Sequence, residues 1–173
     1  YTDVVRAVEK LMAGERPEYF SDIHRTYEDG VRLVTTPPYT AYLKIAEGCS
    51  NGCAFCIIPK LRGKYRSRSM ESLLAEAKKM AGSGVKELIV IAQDITRYGL
   101  DLPEKTSLAQ LVKELCRLDF HWIRLHYLYP EAITGELIDV IVSEPKVLHY
   151  LDIPIQHCND GILKAMRRRN TRA

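Results

Sequence analysis

The sequence predicts an α/β fold, a partial (β/α) barrel that runs through about four strand–helix units before the chain ends. Three observations predict it. Short runs rich in Ile, Val and Leu alternate four times with stripes of helical period from residue 42 onward. The order is strand then helix each time, which requires parallel strands joined by crossovers. No residue signature recurs at the interval of about 35 residues, so a barrel fits better than a solenoid.

The elements follow in order. Residues 2–13 place Val4, Val5, Val8, Leu11 and Met12 on one helical stripe that Gly14 ends. From Glu15 to Pro38 the composition turns polar and proline-bearing and finishes in TTPP, the mark of a linker or domain boundary. Residues 1–38 therefore read as the tail of a preceding domain plus its linker, and 39–173 as a core incomplete at its C-terminal end. A chain that opens on Tyr1 and stops inside a basic helical pattern is expected to be part of a longer protein. YLKIA (42–46) is the first strand. Residues 70–81 set Leu73, Ala77 and Met80 on one helical face, with Ser69 as N-cap and Gly82 and Gly84 as stops. KELIVIA (86–92) is a buried strand, and 107–118 repeat Leu108, Leu111, Val112 and Leu115 at helical spacing. WIRLHYL (122–128) is the third strand, followed by a helix over 133–143 capped by Thr134. VLHYLDIPI (147–155) is the fourth, and a helix over 160–169 opens behind Asn159. An open sheet of four strands leaves exposed edges.

Composition narrows the function. A hydrophobic fraction of 46% and a charged fraction of 27% describe an ordinary globular chain. The net charge of +3 excludes a general nucleic-acid binder, so any such contact must come from a local patch. No apolar run reaches a membrane span, and residues 1–10 are charged and amphipathic, unlike a signal peptide. Five cysteines, three of them crowded into CSNGCAFC (49–56), do not make a disulfide framework and point to thiols kept for metal in a reducing cytoplasm.

In a parallel barrel the chemistry sits at the C-terminal ends of the strands. The cysteine loop follows strand one, QDITRYG strand two, YLYPEA strand three and QHCN strand four, so the unusual polar residues share one rim. Soft thiolates suit zinc or iron–sulfur clusters. Structural zinc closes its shell with four ligands, for which Cys116, Cys158 or His157 would have to supply the fourth. Three thiolates alone leave one iron of a cubane open, and an open metal position is where substrate or cofactor binds. Cys116 reads as a helix-flank core residue, and Cys158 as structural.

The C-x3-C-x2-C spacing of Cys49, Cys53 and Cys56, with the aromatic Phe55 before the last cysteine, resembles the radical S-adenosylmethionine (SAM) superfamily. The resemblance implies a [4Fe–4S] cluster on Cys49, Cys53 and Cys56, with SAM chelating the open iron. The cofactors then supply a carbon radical that takes hydrogen from an unreactive C–H bond. EGCSNGCAFCIIPKLRG, VIAQDITRYG, HYLYP and LDIPIQH, in this order from about Tyr39 to Arg169, are similar to the methylthiotransferases. The fit is to the branch of RimO type, which attaches a methylthio group to the β-carbon of an aspartate in a small-subunit ribosomal protein. The tRNA-modifying branch is the runner-up, and a structural metal or electron-transfer module is the non-catalytic alternative.

The same resemblance implies cofactor contacts at Gln93 and Asp94, where other superfamily members carry a Gly-Gly-Glu stretch. It also implies contacts at Phe55, against the adenine edge, and at Gln156. Read without the resemblance, Asp94 is a loop carboxylate that caps a turn, Phe55 is loop packing and Gln156 is a hydrogen-bonded rim residue. His126 and His157 read as structurally satisfied. Further implications are a second [4Fe–4S] cluster on a preceding domain, since residues 1–36 hold no cysteine, and unidentified electron and sulfur donors. Finally, Lys60, Arg62, Lys64, Arg66 and Arg68 alternate in PKLRGKYRSRS (59–69). In an extended segment they would project to one side, either as a solvated edge or as a basic strip near the rim that meets a ribosomal or RNA-rich partner.

Overall fold

Strand–helix alternation from residue 40 onward builds a four-stranded parallel sheet in the computed structural model, which describes residues 3–20, 22–23 and 35–171. In chain order the elements are α1 (Val4–Met12), β1 (Thr40–Lys44), β2 (Ala46–Glu47), α2 (Ile58–Arg62), β3 (Arg66–Ser67), α3 (Met70–Gly82) and β4 (Glu87–Ile91). They continue with α4 (Leu108–Cys116), β5 (Trp122–Leu125), α5 (Gly135–Ser143), β6 (Val147–Leu151) and α6 (Asp160–Ala165). The strand order β1-β4-β5-β6 adds each new strand to the outer side of the last, the walk of a (β/α) barrel that these residues leave open. Leu43 stands beside Val90, and Val90 beside Leu125, so the strand ends align at one rim.

Alternation along the strands decides which face is dry. Ala41 and Leu43, Leu88 and Val90, Ile123 and Leu125 are at most 1% exposed. Against them pack Leu73, Ala77 and Met80 of α3, Leu108, Leu111, Val112 and Leu115 of α4, and Leu137, Val140 and Ile141 of α5. Each large side chain buried this way contributes about 1.5–3 kcal/mol before entropy is charged against it. The opposite face carries the half-exposed Tyr42 and Trp122. It also carries an ion pair in which Arg124 donates from Nε (2.9 Å) and Nη2 (2.7 Å) to Glu87 Oε1 while its guanidinium lies 5.3 Å from the Tyr150 ring.

The helix starts follow the caps read in the sequence. Ser69 accepts from the Ser72 amide, Thr134 from Leu137 and Asn159 from Ile162, each at 3.2 Å. Ser107 adds a reciprocal capping box with Gln110 at α4. Several ends fall earlier than the apolar patterns suggest. Tyr127 takes φ 66° and turns the chain out of β5, and Arg167 at φ 56° stops α6 short of the expected residue 169. None of the residues of α1 is buried. Residue 21 and residues 24–34 of the expected linker lie outside the described residues. Among the described residues no helix is long and apolar enough to cross a membrane.

The basic strip is corrected. Residues 58–62 wind into α2 with Pro59 in its first turn, where a missing N–H costs nothing. Arg66 and Ser67 then pair antiparallel with Ala46 and Glu47. Helix and strand periods differ, so the five cations do not share one extended edge. Two of them are partly buried and bonded within the protein. Arg66 donates to the carbonyls of Lys64 (2.8 Å) and Arg62 (3.2 Å), and Arg68 binds Glu76 at 2.6 Å and Ser72 at 2.7 Å.

Candidate active site: a cysteine loop at the strand ends

The loop that leaves β2, the short extension of β1, is fixed by close backbone approach. Gly48 adopts φ 78°, and a Cβ there would stand 2.3 Å from the Lys64 carbonyl oxygen, so only glycine fits. Beyond it the Cys49 amide donates to Gly63 O at 3.2 Å, and Ser50 Oγ accepts from the Tyr65 amide at 3.1 Å. Asn51 donates to Asp94 Oδ2 at 2.8 Å, and the Ala54 amide donates to Met166 O at 3.0 Å. The loop is thus tied to the ribbon behind it, to the end of β4 and to the far end of α6.

The charged residues buried in the described chain are Glu47, Asp94 and Arg168, and all of them serve this loop. Glu47, paired with Lys44, accepts from the Gly48 amide at 3.2 Å and from Gln93 Nε2 at 3.3 Å. Asp94 is 0% exposed. One oxygen takes Asn51, the other takes the amide and hydroxyl of Thr96, and Arg97 Nε lies 3.2 Å away. Arg168 lays its guanidinium 4.0 Å from the centre of the Tyr129 ring and reaches to 4.0 Å from Cys53 Sγ. Tyr129 Oη is itself 3.3 Å from Cys53 Sγ. A buried charge without partners is costly, so a loop surrounded by buried charges in specific bonds holds one shape.

All three loop cysteines are free thiols; Cys49 and Cys53 are buried and Cys56 is partly exposed. Burial first pushes the Cys49 thiol up, the Asn51 backbone bond pulls it back, and Asp94, Cys53 and Cys56 add to the rise. The Cys49 sulfur therefore feels the charge of the other two. Among the described residues no three His, Cys, Asp or Glu side chains converge as ligands of a single ion. So neither Cys116, Cys158 nor His157 closes a four-ligand zinc knot: Cys116 is buried on α4, Cys158 is exposed, and His157 Nδ1 accepts from the Asn159 amide at 2.9 Å. A cubane asks for a looser arrangement, because each thiolate binds a different iron. Three unpaired thiols on one tethered loop fit it.

The structure brings the expected residues to this rim in different states. Gln93 donates to Glu47 and keeps its buried Oε1 without a hydrogen-bond partner. Asp94 has both carboxylate oxygens engaged within the protein. Phe55 is 57% exposed beside the thiols. Gln156 is exposed on a left-handed turn at φ 65°. Glu47, Tyr129 and Arg168 were not singled out by the sequence. Glu47 and Tyr129 lie inside the matched segments EGC and HYLYP. Arg168 sits 115 residues from Cys53 in a run of three arginines, and only the turn at Arg167 distinguishes it from its neighbours.

Parallel strands carrying a three-thiol loop at their C-terminal ends define a class, and the chain belongs to the radical SAM superfamily, whose family model matches residues 43–173. Membership implies a [4Fe–4S] cluster and SAM. Among solved structures, a radical S-adenosylmethionine methyltransferase, TsrM from Kitasatospora setae, aligns with a TM-score of 0.59 over 76% of this chain and 24% of its own, at 16% identity, a likeness of fold.

Curated relatives are more specific. The chain is 50% identical over 174 residues to a protein of Caldanaerobacter subterraneus named ribosomal protein uS12 methylthiotransferase RimO, covering 99% of this chain and 40% of the relative. Proteins of the same name from Clostridioides difficile and Citrifermentans bemidjiense are 51% and 54% identical, over 99% and 95% of this chain and 39% and 37% of theirs. The chain spans about 40% of the length of the curated relatives it matches.

Proposed function

We propose that this chain is the radical core of a methylthiotransferase that adds a methylthio group to the β-carbon of an aspartate in a small-subunit ribosomal protein. One observation carries the reading: the tethered loop of three free thiols at the strand ends, within a chain about half identical to relatives bearing that name. Cys49, Cys53 and Cys56 would hold the cluster, which with SAM supplies the hydrogen-abstracting radical when bound.

The chain's own residues shape the place. Gln93 Oε1 is a buried acceptor still unmet, suited to a donor such as the amino group of the cofactor. Phe55 and Gln156 offer an exposed ring and an exposed amide at the same rim. Asp94 acts by holding Asn51 and so the loop, in place of direct contact. Lys60, Lys64, Arg167 and Arg169 remain exposed around the loop and give an RNA-rich partner a charged approach. The second cluster belongs to a preceding domain, the electron and sulfur donors are separate partners, and the reaction takes place in the cytoplasm.

The test is a deletion strain in which ribosomal proteins and tRNA nucleosides are both analysed by mass spectrometry. The expected result is loss of the methylthio group from the ribosomal aspartate, restored by the native gene but not by Cys49→Ala, Cys53→Ala or Cys56→Ala. A modification lost from tRNA with the ribosomal aspartate intact assigns the tRNA-modifying branch instead.

A further inference from the structure

Arg168 is 7% exposed, and among the described residues no carboxylate lies within ion-pairing distance of it. Its nitrogens are spent on neutral groups: Nη2 donates to Pro154 O at 2.8 Å and Nε to Asn170 Oδ1 at 3.3 Å. The third, Nη1, faces Cys53 Sγ. A guanidinium cannot shed its proton, so a buried one needs an anion, and the sulfur of Cys53 is the group placed to become one. The Tyr129 ring fixes the guanidinium plane by stacking, and its hydroxyl meets the same sulfur. Once Cys53 is a metal-bound thiolate it has no proton to give, so the Tyr129 hydroxyl must be the donor.

We propose that Arg168 and Tyr129 are positioning residues that set the reduction potential of the iron–sulfur centre through Cys53; the proposal rests on Cys53 being a ligand. Hydrogen bonds to ligand sulfur and a nearby positive charge favour the form with the extra electron, so this pair raises the potential and eases reduction. The arrangement also gives the C-terminal turn a chemical task. Arg167 at φ 56° swings the chain back from α6, and the Ala54–Met166 backbone bond locks that turn to the loop.

The experiment is a potentiometric titration of the anaerobically reconstituted full-length protein, followed by electron paramagnetic resonance, with iron content measured for each variant. The signal belonging to this centre is the one lost in Cys49→Ala. Arg168→Gln should lower its midpoint so that, at the native midpoint, the reduced-to-oxidised ratio falls about tenfold, or about 59 mV for one electron. Tyr129→Phe should move it in the same direction by a smaller step with iron unchanged, and Arg168→Lys should restore most of the loss. Midpoints unmoved in Arg168→Gln and Tyr129→Phe at full iron content overturn the proposal alone. If Arg168→Gln does not load iron, Tyr129→Phe, which alters one hydroxyl, decides. A native protein that binds no iron at these cysteines overturns the ligand assignment itself.

Discussion

The two ends of the βα units are held by different physics. Between the sheet and helices α3, α4 and α5 the structure is apolar and nearly water-free, with Leu43, Leu88, Leu111 and Ile123 at 0% exposure. At the strand ends the buried groups are Glu47, Asp94 and Arg168, each aimed at the cysteine loop. Apolar burial is non-directional and scales with area, so it makes the scaffold stable without fixing any one contact. Buried charge is tolerated only in specific bonds, so it fixes a shape at a cost in stability. Stability resides in the layer behind the sheet and geometry at its rim.

The largest effect tests the first half of that contrast. Leu88 lies in the interior strand β4 at 0% exposure, and Leu88→Ala should cost about 2–5 kcal/mol in urea unfolding, since the flanking strands β1 and β5 and the surrounding apolar core keep the cavity from collapsing. A cost below 1 kcal/mol would remove the distinction between scaffold and rim.

Asp94→Ala tests the second half. It strips acceptors from Asn51 and Thr96 and a counter-charge from Arg97, for about 1–3 kcal/mol. Its loss should also be local: hydrogen exchange should speed up across residues 48–54 while the amides of α4 keep their protection. Uniform acceleration throughout the chain would mean that the rim bonds support the whole fold.

The same contrast explains what could be read in advance. The scaffold was legible because apolar periodicity, N-caps such as Ser69 and glycine stops such as Gly84 are local signals, and they agree with one another over the four units. The cysteine loop was legible because its spacing is local too. The rim bonds were not, since Arg168 meets Cys53 across 115 residues and only the folded topology joins them. Asp94 was half legible: its capping of the turn at Thr96 is a two-residue pattern, whereas its hold on Asn51 spans 43 residues. The basic alternation at 60–68 does not become one edge because its period of two runs through a segment in which Pro59 sits in the first turn of a helix.

Cys116 carries the smallest effect, since it is a thiol of the scaffold and has no part in the rim. Burial, then the nearby Glu144 carboxylate, pushes it from 9.0 to about 11, with Lys146 pulling the other way. The unfolded thiol ionises near 9.0 while the folded one stays protonated, so between about pH 9 and 11 the unfolded chain binds fewer protons. Stability is therefore intact below pH 9 and falls as pH rises toward 11, by on the order of 1–2 kcal/mol from this group. Tyr98, pushed from 10.0 up to about 12 chiefly by burial, adds to the same fall above about pH 10, where the unfolded phenol ionises and the folded one keeps its proton. Cys49 rises in the same sense, so an alkaline slope should persist without Cys116. The measurement is the difference between native and Cys116→Ala unfolding free energies across pH. A constant offset below pH 9 should shrink between 9 and 11 as the native protein loses what the variant never had. An offset that stays flat to pH 11 would show that the Cys116 thiol ionises as readily folded as unfolded, and that the layer behind the sheet is wetter than its burial implies.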